Sequence, residues 1–233
     1  MRGVGVIIRI KSGITNLYLV KGKEGYLLID AGYKFRVLEK WLKALNIGWE
    51  EIKFIFITHH HYDHTLALST VQQHTNAILI FHHKERAALK TGFSTHKTTP
   101  LNFRTRVLMT LRGYSNSKPV AINDNDIVIN EDTEMLRDFG IHGKILRTPG
   151  HTQGSISLLL DNGMAFVGDA AMNFFPLLGL KKRPLIAEDY EAVFKSWEKL
   201  LNAGAKKIYP SHGEPFSASE LEKALQLFSK KEA

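Results

Sequence analysis

Hydrophobic and polar positions change period several times along the chain, and each change marks an element. Residues 4–10, 16–21 and 25–32 alternate or run apolar over strand lengths, with 21–25 as the hairpin loop between the second and third. Between Phe35 and Leu45, apolar residues at Val37, Leu38, Trp41, Leu42 and Leu45 recur at helical spacing, and Gly48 lies just beyond, which predicts an amphipathic helix. Residues 53–57 predict a short apolar strand, 58–64 a polar loop, 65–74 a helix and 77–81 another strand.

Beyond this, a short helix is predicted near 84–89, an irregular stretch over 91–100 and a helix over 101–113. Phe103, Val107, Leu108 and Leu111 would form its packed face, with Arg104, Arg106 and Arg112 turned elsewhere. Asp124-Asn125-Asp126 marks a turn into strands at 127–130 and 133–137. A strand over 144–148 leads into Pro149-Gly150-His151-Thr152, and Asp161-Asn162-Gly163 between 155–160 and 164–168 is a hairpin signal. A helix over 188–201 would bury Val193, Trp197, Leu200 and Leu201. A strand follows at 206–209, and Ser217-x-x-Glu220 reads as a capping box opening the last helix. Residues 16–31 align without gaps on 155–170, which sets Asp30 on Asp169 and predicts a pseudo-symmetric body of two packed sheets.

Composition narrows the classes. A chain of 233 residues with 44% hydrophobic content can bury a sizeable core, and one domain over 1–233 is expected. With no cysteine, disulfides, thiolate ligands and cysteine nucleophiles are excluded. No run reaches membrane-spanning length and residues 1–12 lack a leader's apolar run, so a cytoplasmic protein is expected. Nearly all of the net charge of +8 sits between Lys84 and Lys118, where Lys84, Arg86, Lys90, Lys97, Arg104, Arg106, Arg112 and Lys118 face one acid, Glu85. This partly helical insertion at about 84–118 reads as a lid or binding surface for an anion.

The chemistry centres on Thr58-His59-His60-His61-Tyr62-Asp63-His64. In extended backbone alternate side chains share a side, so His59, His61 and Asp63 would converge while His60 and Tyr62 point away. His64 departs from that alternation, and a second direction of approach suits a pair of metal ions. His151, Asp169 and His212 each follow a predicted strand on a turn, where functional groups collect on a rigid scaffold.

These pieces, with Leu28-Ile29-Asp30-Ala31-Gly32, Thr148-Pro149-Gly150-His151-Thr152-Gln153-Gly154-Ser155, Phe166-Val167-Gly168-Asp169 and Ser211-His212-Gly213, resemble the metallo-β-lactamase fold superfamily over most of the chain. The motif set is similar to that of glyoxalase II without its C-terminal helical domain. Two departures leave the subfamily open. Thr65-Leu66-Ala67 stands where a Gly-containing continuation is common, and Ala170-Ala171-Met172 stands where quorum-quenching lactonases carry a Tyr. The resemblance implies an α/β fold, a four-layered αββα sandwich of two mixed sheets flanked by helices. It implies one metal on His59, His61 and His151, a second on Asp63, His64 and His212, and Asp169 bridging them. Asp30 would steady the ligand loop, and Asp63 would orient the bridging water and pass on its proton.

Such ligation suits zinc, and iron and manganese accept it too. The implied activity is hydrolysis by a metal-bridging hydroxide of a small ester, thioester or lactone with an anionic end. The alternatives are a phosphodiesterase or nucleic-acid-processing enzyme using the basic insertion, and a single-iron oxygen-using member. His60, His74, His82, His83, His96 and His142 match no ligand position and read as surface or packing residues. Of these, His82 or His83 and His96 are retained for contacting an anionic substrate. The expected apolar walls are Phe174-Phe175-Pro176-Leu177-Leu178, Phe93 and Phe103.

Overall fold

Two mixed sheets carry the site between their ends. The computed structural model describes residues 6–94, 97–112, 116–174 and 179–229. In the first sheet the order is β1 (Ile7–Ser12), β2 (Thr15–Lys21), β3 (Tyr26–Ile29), β4 (Ile52–Phe56), β5 (Ile78–His82) and β7 (Ile127–Ile129), and β6 is Thr99–Pro100 elsewhere. The antiparallel meander β1-β2-β3 turns parallel at β3-β4, where Ile29 pairs with Phe56. That switch needs a crossover helix, and α1 (Phe35–Ala44) supplies it, burying Leu38 and Leu42.

The second sheet runs β13 (Phe216–Ser217), β12 (Lys207–Pro210), β10 (Met164–Gly168), β9 (Ile156–Leu160) and β8 (Gly143–Arg147). Here α6 (Tyr190–Asn202) makes the crossover between parallel β10 and β12, with Asp189 capping its start by accepting from the Ala192 N–H at 3.0 Å. The units β2-β3-α1-β4 and β9-β10-α6-β12 therefore repeat one topology, as the internal alignment predicts, and Asp30 and Asp169 each follow the second strand of a unit.

Three apolar clusters define four layers. Tyr18, Leu27, Phe54, Phe56 and Ile80 of the first sheet meet Ile145, Ile156, Leu158 and Phe166 of the second in the central one. The outer face of the first sheet buries Ile55, Ile57 and Leu79 against α1 and α3 (Leu68–Gln72). That of the second packs on Val193, Trp197 and Leu200 of α6 and Leu221 of α7 (Ser219–Ser229). The αββα sandwich is the expected fold. No helix among the described residues is long and apolar enough to cross a membrane.

Several local expectations fail for identifiable reasons. Residues 133–137 form no strand: Thr133 makes one isolated bridge to Ile145, and Met135–Phe139 is a 3₁₀ turn whose Leu136 enters the central core. Glu220 does not close a capping box. It pairs instead with Lys182 at 2.8 Å, while the Ser217 hydroxyl accepts from the Ser219 N–H.

The largest departure is α5 (Phe103–Arg112). Phe103 is 77% and Leu111 81% exposed, Val107 is exposed too, and only Leu108 of the expected packed face is half-buried. Reciprocal capping sets this orientation. The Thr105 N–H donates to Asn102 Oδ1 at 3.0 Å, the Asn102 N–H donates to Thr105 Oγ1 at 2.9 Å, and Thr105 is buried. With Thr105 turned inward, Phe103 is carried to the opposite side. A small ladder pairing β6 with β11 (Ile186–Ala187) ties the insertion to the loop beside the site.

Candidate metal centre

The ligand loop is only half extended. After β4 the chain bends at Thr58, and His61 is the N-terminal cap of a one-turn helix, α2 (Tyr62–Thr65). Asp63 and His64 are thus helical neighbours rather than part of an alternation. His59 and His61 share one side as expected, whereas Asp63 joins His64 and His212. The amides of Ala31 and Gly32 both donate to the His64 carbonyl at 2.9 Å, tying the turn to the end of β3.

All seven expected residues converge, and three overlapping groups have ligand atoms spaced to share an ion: His59, His61 and His151; His59, His64 and Asp169; Asp63, His64 and His212. His151 Nε2 lies 3.1 Å from His59 Nε2 and 2.9 Å from His61 Nδ1. Asp169 Oδ2 is 3.5 Å from His151 Nε2 and 3.4 Å from His212 Nε2, and Oδ1 is 3.5 Å from His64 Nε2. Asp169 therefore sits between the two halves. His212 Nε2 also approaches Asp63 Oδ2 at 3.2 Å.

Outer contacts orient these rings. His151 Nδ1 is 2.8 Å from the Ile186 carbonyl and His212 Nδ1 2.9 Å from the Ile14 carbonyl. Since a carbonyl only accepts, each Nδ1 carries a proton, and each Nε2 is directed inward, where it can bind a cation once any proton it holds is displaced. Asp30 plays the expected part. Its buried carboxylate accepts from the Thr58 N–H at 2.9 Å and the Thr58 hydroxyl, lies 2.8 Å from His64 Nδ1, and takes the Ser211 hydroxyl at 3.3 Å. It thereby ties β3, the ligand loop and the His212 loop together. Gly168, at φ +55°, permits the close approach of β10, because a Cβ there would lie 2.6 Å from Thr58 Oγ1. Trp197 Nε1 donates to the Ala170 carbonyl at 2.6 Å, anchoring the turn that follows Asp169.

The electrostatics are those of a cation site. Burial, with the neighbouring imidazoles, pushes His59 and His61 well below the ordinary imidazole value. Burial acts on His64 and His212 as well, but nearby carboxylates outweigh it: Asp169, Asp30 and Asp63 hold His64 well above the usual range, and Asp169 and Asp63 lift His212 to about 10. Asp63 is lowered to about 2 despite burial because His64 and His212 favour its charged form. The buried carboxylates thus demand positive charge, which protons on two imidazoles or divalent cations can supply. Two buried atoms, His64 Nε2 and Asp169 Oδ1, have no hydrogen-bond partner. Together with the inward-directed ring nitrogens, they fit bound metal.

His60, expected as a surface or packing histidine, is buried and lines the cavity over the site. Its Nδ1 contacts the carboxylate of buried Glu85, which also accepts from the His60 N–H at 2.9 Å and from the Thr152 hydroxyl at 2.8 Å. These bonds keep Glu85 below the ordinary carboxylate value against the effect of burial. Gly154 packs so close that a Cβ would meet Glu85 Oε1 at 2.2 Å. Sequence reasoning missed this role. The available signal was a lone acid in a basic stretch.

His82 is buried, with a pKa lowered by burial to about 4, and His83 is exposed; neither lines the cavity, so neither meets a substrate there. His96 and residues 175–178 lie outside the described residues. His74 packs against the stacked rings of Phe35 and Trp49, and His142 is half-buried away from the site.

A cavity of about 700 Å³ opens over the cluster. Ile14, Leu108, Met109, Met172, Phe174 and Leu185 give it apolar walls, and Lys97 is its one lysine or arginine among the described residues. Of the expected walls, Phe174 is in place, whereas Phe93 and Phe103 are exposed and do not line it.

Comparison with known proteins gives the family. Residues 11–212 match the family described as the Metallo-beta-lactamase superfamily. A probable metallo-hydrolase of Methanocaldococcus jannaschii is 31% identical over 206 residues, 86% of this chain and 88% of that one. An acyl-coenzyme A thioesterase, MBLAC2 of Gallus gallus, is 24% identical over 89% of this chain and 75% of its own. The crystal structure of a metallo-beta-lactamase family protein from Thermus thermophilus superposes with a TM-score of 0.69 at 21% identity, covering 97% of this chain and 79% of that one.

Proposed function

The chain belongs to the metallo-β-lactamase superfamily and is a metallohydrolase, and within that class we propose that it hydrolyses a small acyl ester, thioester or lactone carrying an anionic end, using two metal ions. The supporting observation is the cavity, whose mainly apolar walls and, among the described residues, single lysine lie directly over the histidine–aspartate cluster. A phosphate polymer calls for an extended cationic track and stacking platforms, and Arg104 and Arg106 are exposed on α5 without lining the cavity. The similarity to an acyl-coenzyme A thioesterase points the same way, toward a thioester.

His59, His61 and His151 would hold one ion, Asp63, His64 and His212 the other, with Asp169 between them. The chemistry that such a pair supplies is activation of water near neutral pH and polarisation of the attacked oxygen. Zinc fits this all-nitrogen-and-oxygen set, as do iron and manganese. Asp63 lines the cavity, and its carboxylate, ionised at neutral pH, can accept a proton from water and return it to the leaving group. Lys97 would bind the anionic end and Leu108, Met109 and Leu185 the acyl chain, with residues 84–118 serving as cover for one domain over 1–233.

The test is a side-by-side panel of an acyl thioester, p-nitrophenyl acetate, a lactone, bis-p-nitrophenyl phosphate and single-stranded RNA, each with zinc, iron and manganese. Faster turnover of an acyl substrate is expected. Faster turnover of the phosphodiester or RNA than of every acyl compound overturns the reading.

A further inference from the structure

Helix α5 is two-faced in an unusual sense. Its inner side, through Leu108 and Met109, lines the cavity over the metal centre. Its outer side is also apolar: Phe103, Val107 and Leu111 recur every fourth residue and are 77%, 41% and 81% exposed. At about 100° per residue they span an arc of roughly 80°. Arg104 borders that arc on one side and Arg106 on the other, both exposed. Phe93, 57% exposed, adds a further aromatic ring in the same insertion.

The charge of this region is one-sided. Between residues 84 and 118 the one acid, Glu85, is buried and committed to His60 and Thr152, so the stretch offers solvent no carboxylate, while Lys90, Lys97, Arg104 and Arg106 are exposed. An apolar arc between arginines is the arrangement by which a helix lies in the plane of a lipid interface, its rings among the acyl chains and its guanidinium groups at anionic headgroups.

Other occupants fit less well. A second copy of the chain packed arc to arc would bring two cationic surfaces together without a compensating acid. Nucleic acid would satisfy the arginines but leave Val107 and Leu111 against phosphate and sugar.

We propose that the outer face of α5, with Phe103, Val107 and Leu111 between Arg104 and Arg106, docks the protein on an anionic phospholipid surface, bringing the cavity mouth close to the bilayer. This inference is independent of the substrate reading, since it is tested by binding alone.

The experiment is co-sedimentation of the full-length protein with vesicles of phosphatidylcholine, or of phosphatidylcholine with 30% phosphatidylserine, run beside Phe103→Ser/Leu111→Ser and Arg104→Gln/Arg106→Gln and read with size-exclusion chromatography and RNA binding. The altered side chains are exposed, and circular dichroism confirms that each variant is folded. Binding to the anionic vesicles at least tenfold tighter than to neutral ones, with a tenfold or greater loss in each double variant, is expected. Three results overturn the proposal: equal or absent binding to both vesicles, an apolar variant that binds anionic vesicles as tightly as the parent, or a parent dimer that the apolar variant dissociates. Tighter binding of RNA than of vesicles, unchanged in the apolar variant, does so as well.

Discussion

The carboxylate of Glu85 accepts the main-chain N–H of His60 at 2.9 Å from a segment that also begins the basic insertion. The same carboxylate takes the Thr152 hydroxyl, so one buried group fastens the loop bearing His59 and His61 to the loop bearing His151. Replacing it with glutamine keeps the shape but turns an amide N–H₂ toward groups that are themselves donors. Glu85→Gln is expected to lower stability by about 1–3 kcal/mol and to weaken metal binding. Urea denaturation and zinc titration of the metal-free protein measure both, and unchanged values in both would remove Glu85 from any positioning role.

Asp30 gives a cleaner test of outer support. It adopts φ +56°, which asparagine tolerates, so Asp30→Asn leaves the backbone undisturbed. It removes the charge and can present an amide N–H₂ to His64 Nδ1, favouring the wrong tautomer. Metal affinity should fall about 10–100-fold, read by competition with a chromophoric chelator.

The cluster itself is tested by stoichiometry. Elemental analysis of the purified protein should approach two ions per chain, as the proposed use of two metal ions requires. His59→Ala and Asp169→Ala should lose metal and activity together. Full metal content in both variants would dismiss the assignment.

Metal uptake should release protons, with a predictable pH dependence. The neighbouring carboxylates raise His212 from 6.5 to about 10, so in the metal-free protein it carries a proton near pH 8 that a cation at Nε2 must displace. Calorimetric titration at pH 8 in two buffers of different ionisation enthalpy should show release, diminishing as pH approaches 10. The same shift stabilises the metal-free fold fully below about pH 6.5, and that contribution is lost as pH rises through about 10. Thermal melts of metal-free protein should decline over that window, and metal-loaded protein should not follow.

Among the described residues, Lys97, rather than Arg104 or Arg106, is the lysine or arginine that lines the cavity. Lys97→Gln should raise KM for anionic acyl substrates about fivefold, the equivalent of roughly 1 kcal/mol, leave kcat and metal content unchanged, and matter less at high salt. Equal KM values for anionic and neutral substrates in parent and variant would count against an anionic substrate.

Most strands, the helices α1 and α6 and all seven clustered residues could be read directly from the chain, because each rests on local information. Strand and helix periods repeat within a few residues, and each metal-capable residue follows an apolar strand at a turn. The matching of Asp30 with Asp169 was equally local, being a comparison of two short stretches. What escaped such reading depends on partners far away in the sequence. Whether His60 is a surface residue or part of the cavity depends on Glu85 and Thr152, which reach it from two other loops. Which side of α5 faces inward depends on its capping by Asn102 and Thr105 and on the ladder joining Thr99–Pro100 to Ile186–Ala187. An apolar spacing of four states that a helix has a stripe, and it carries no information on whether anything covers that stripe. Residues 133–137 show the same limit, since their alternation suited a strand but only Thr133 bridges Ile145, and from Met135 the chain winds into the 3₁₀ turn that sends Leu136 into the central core.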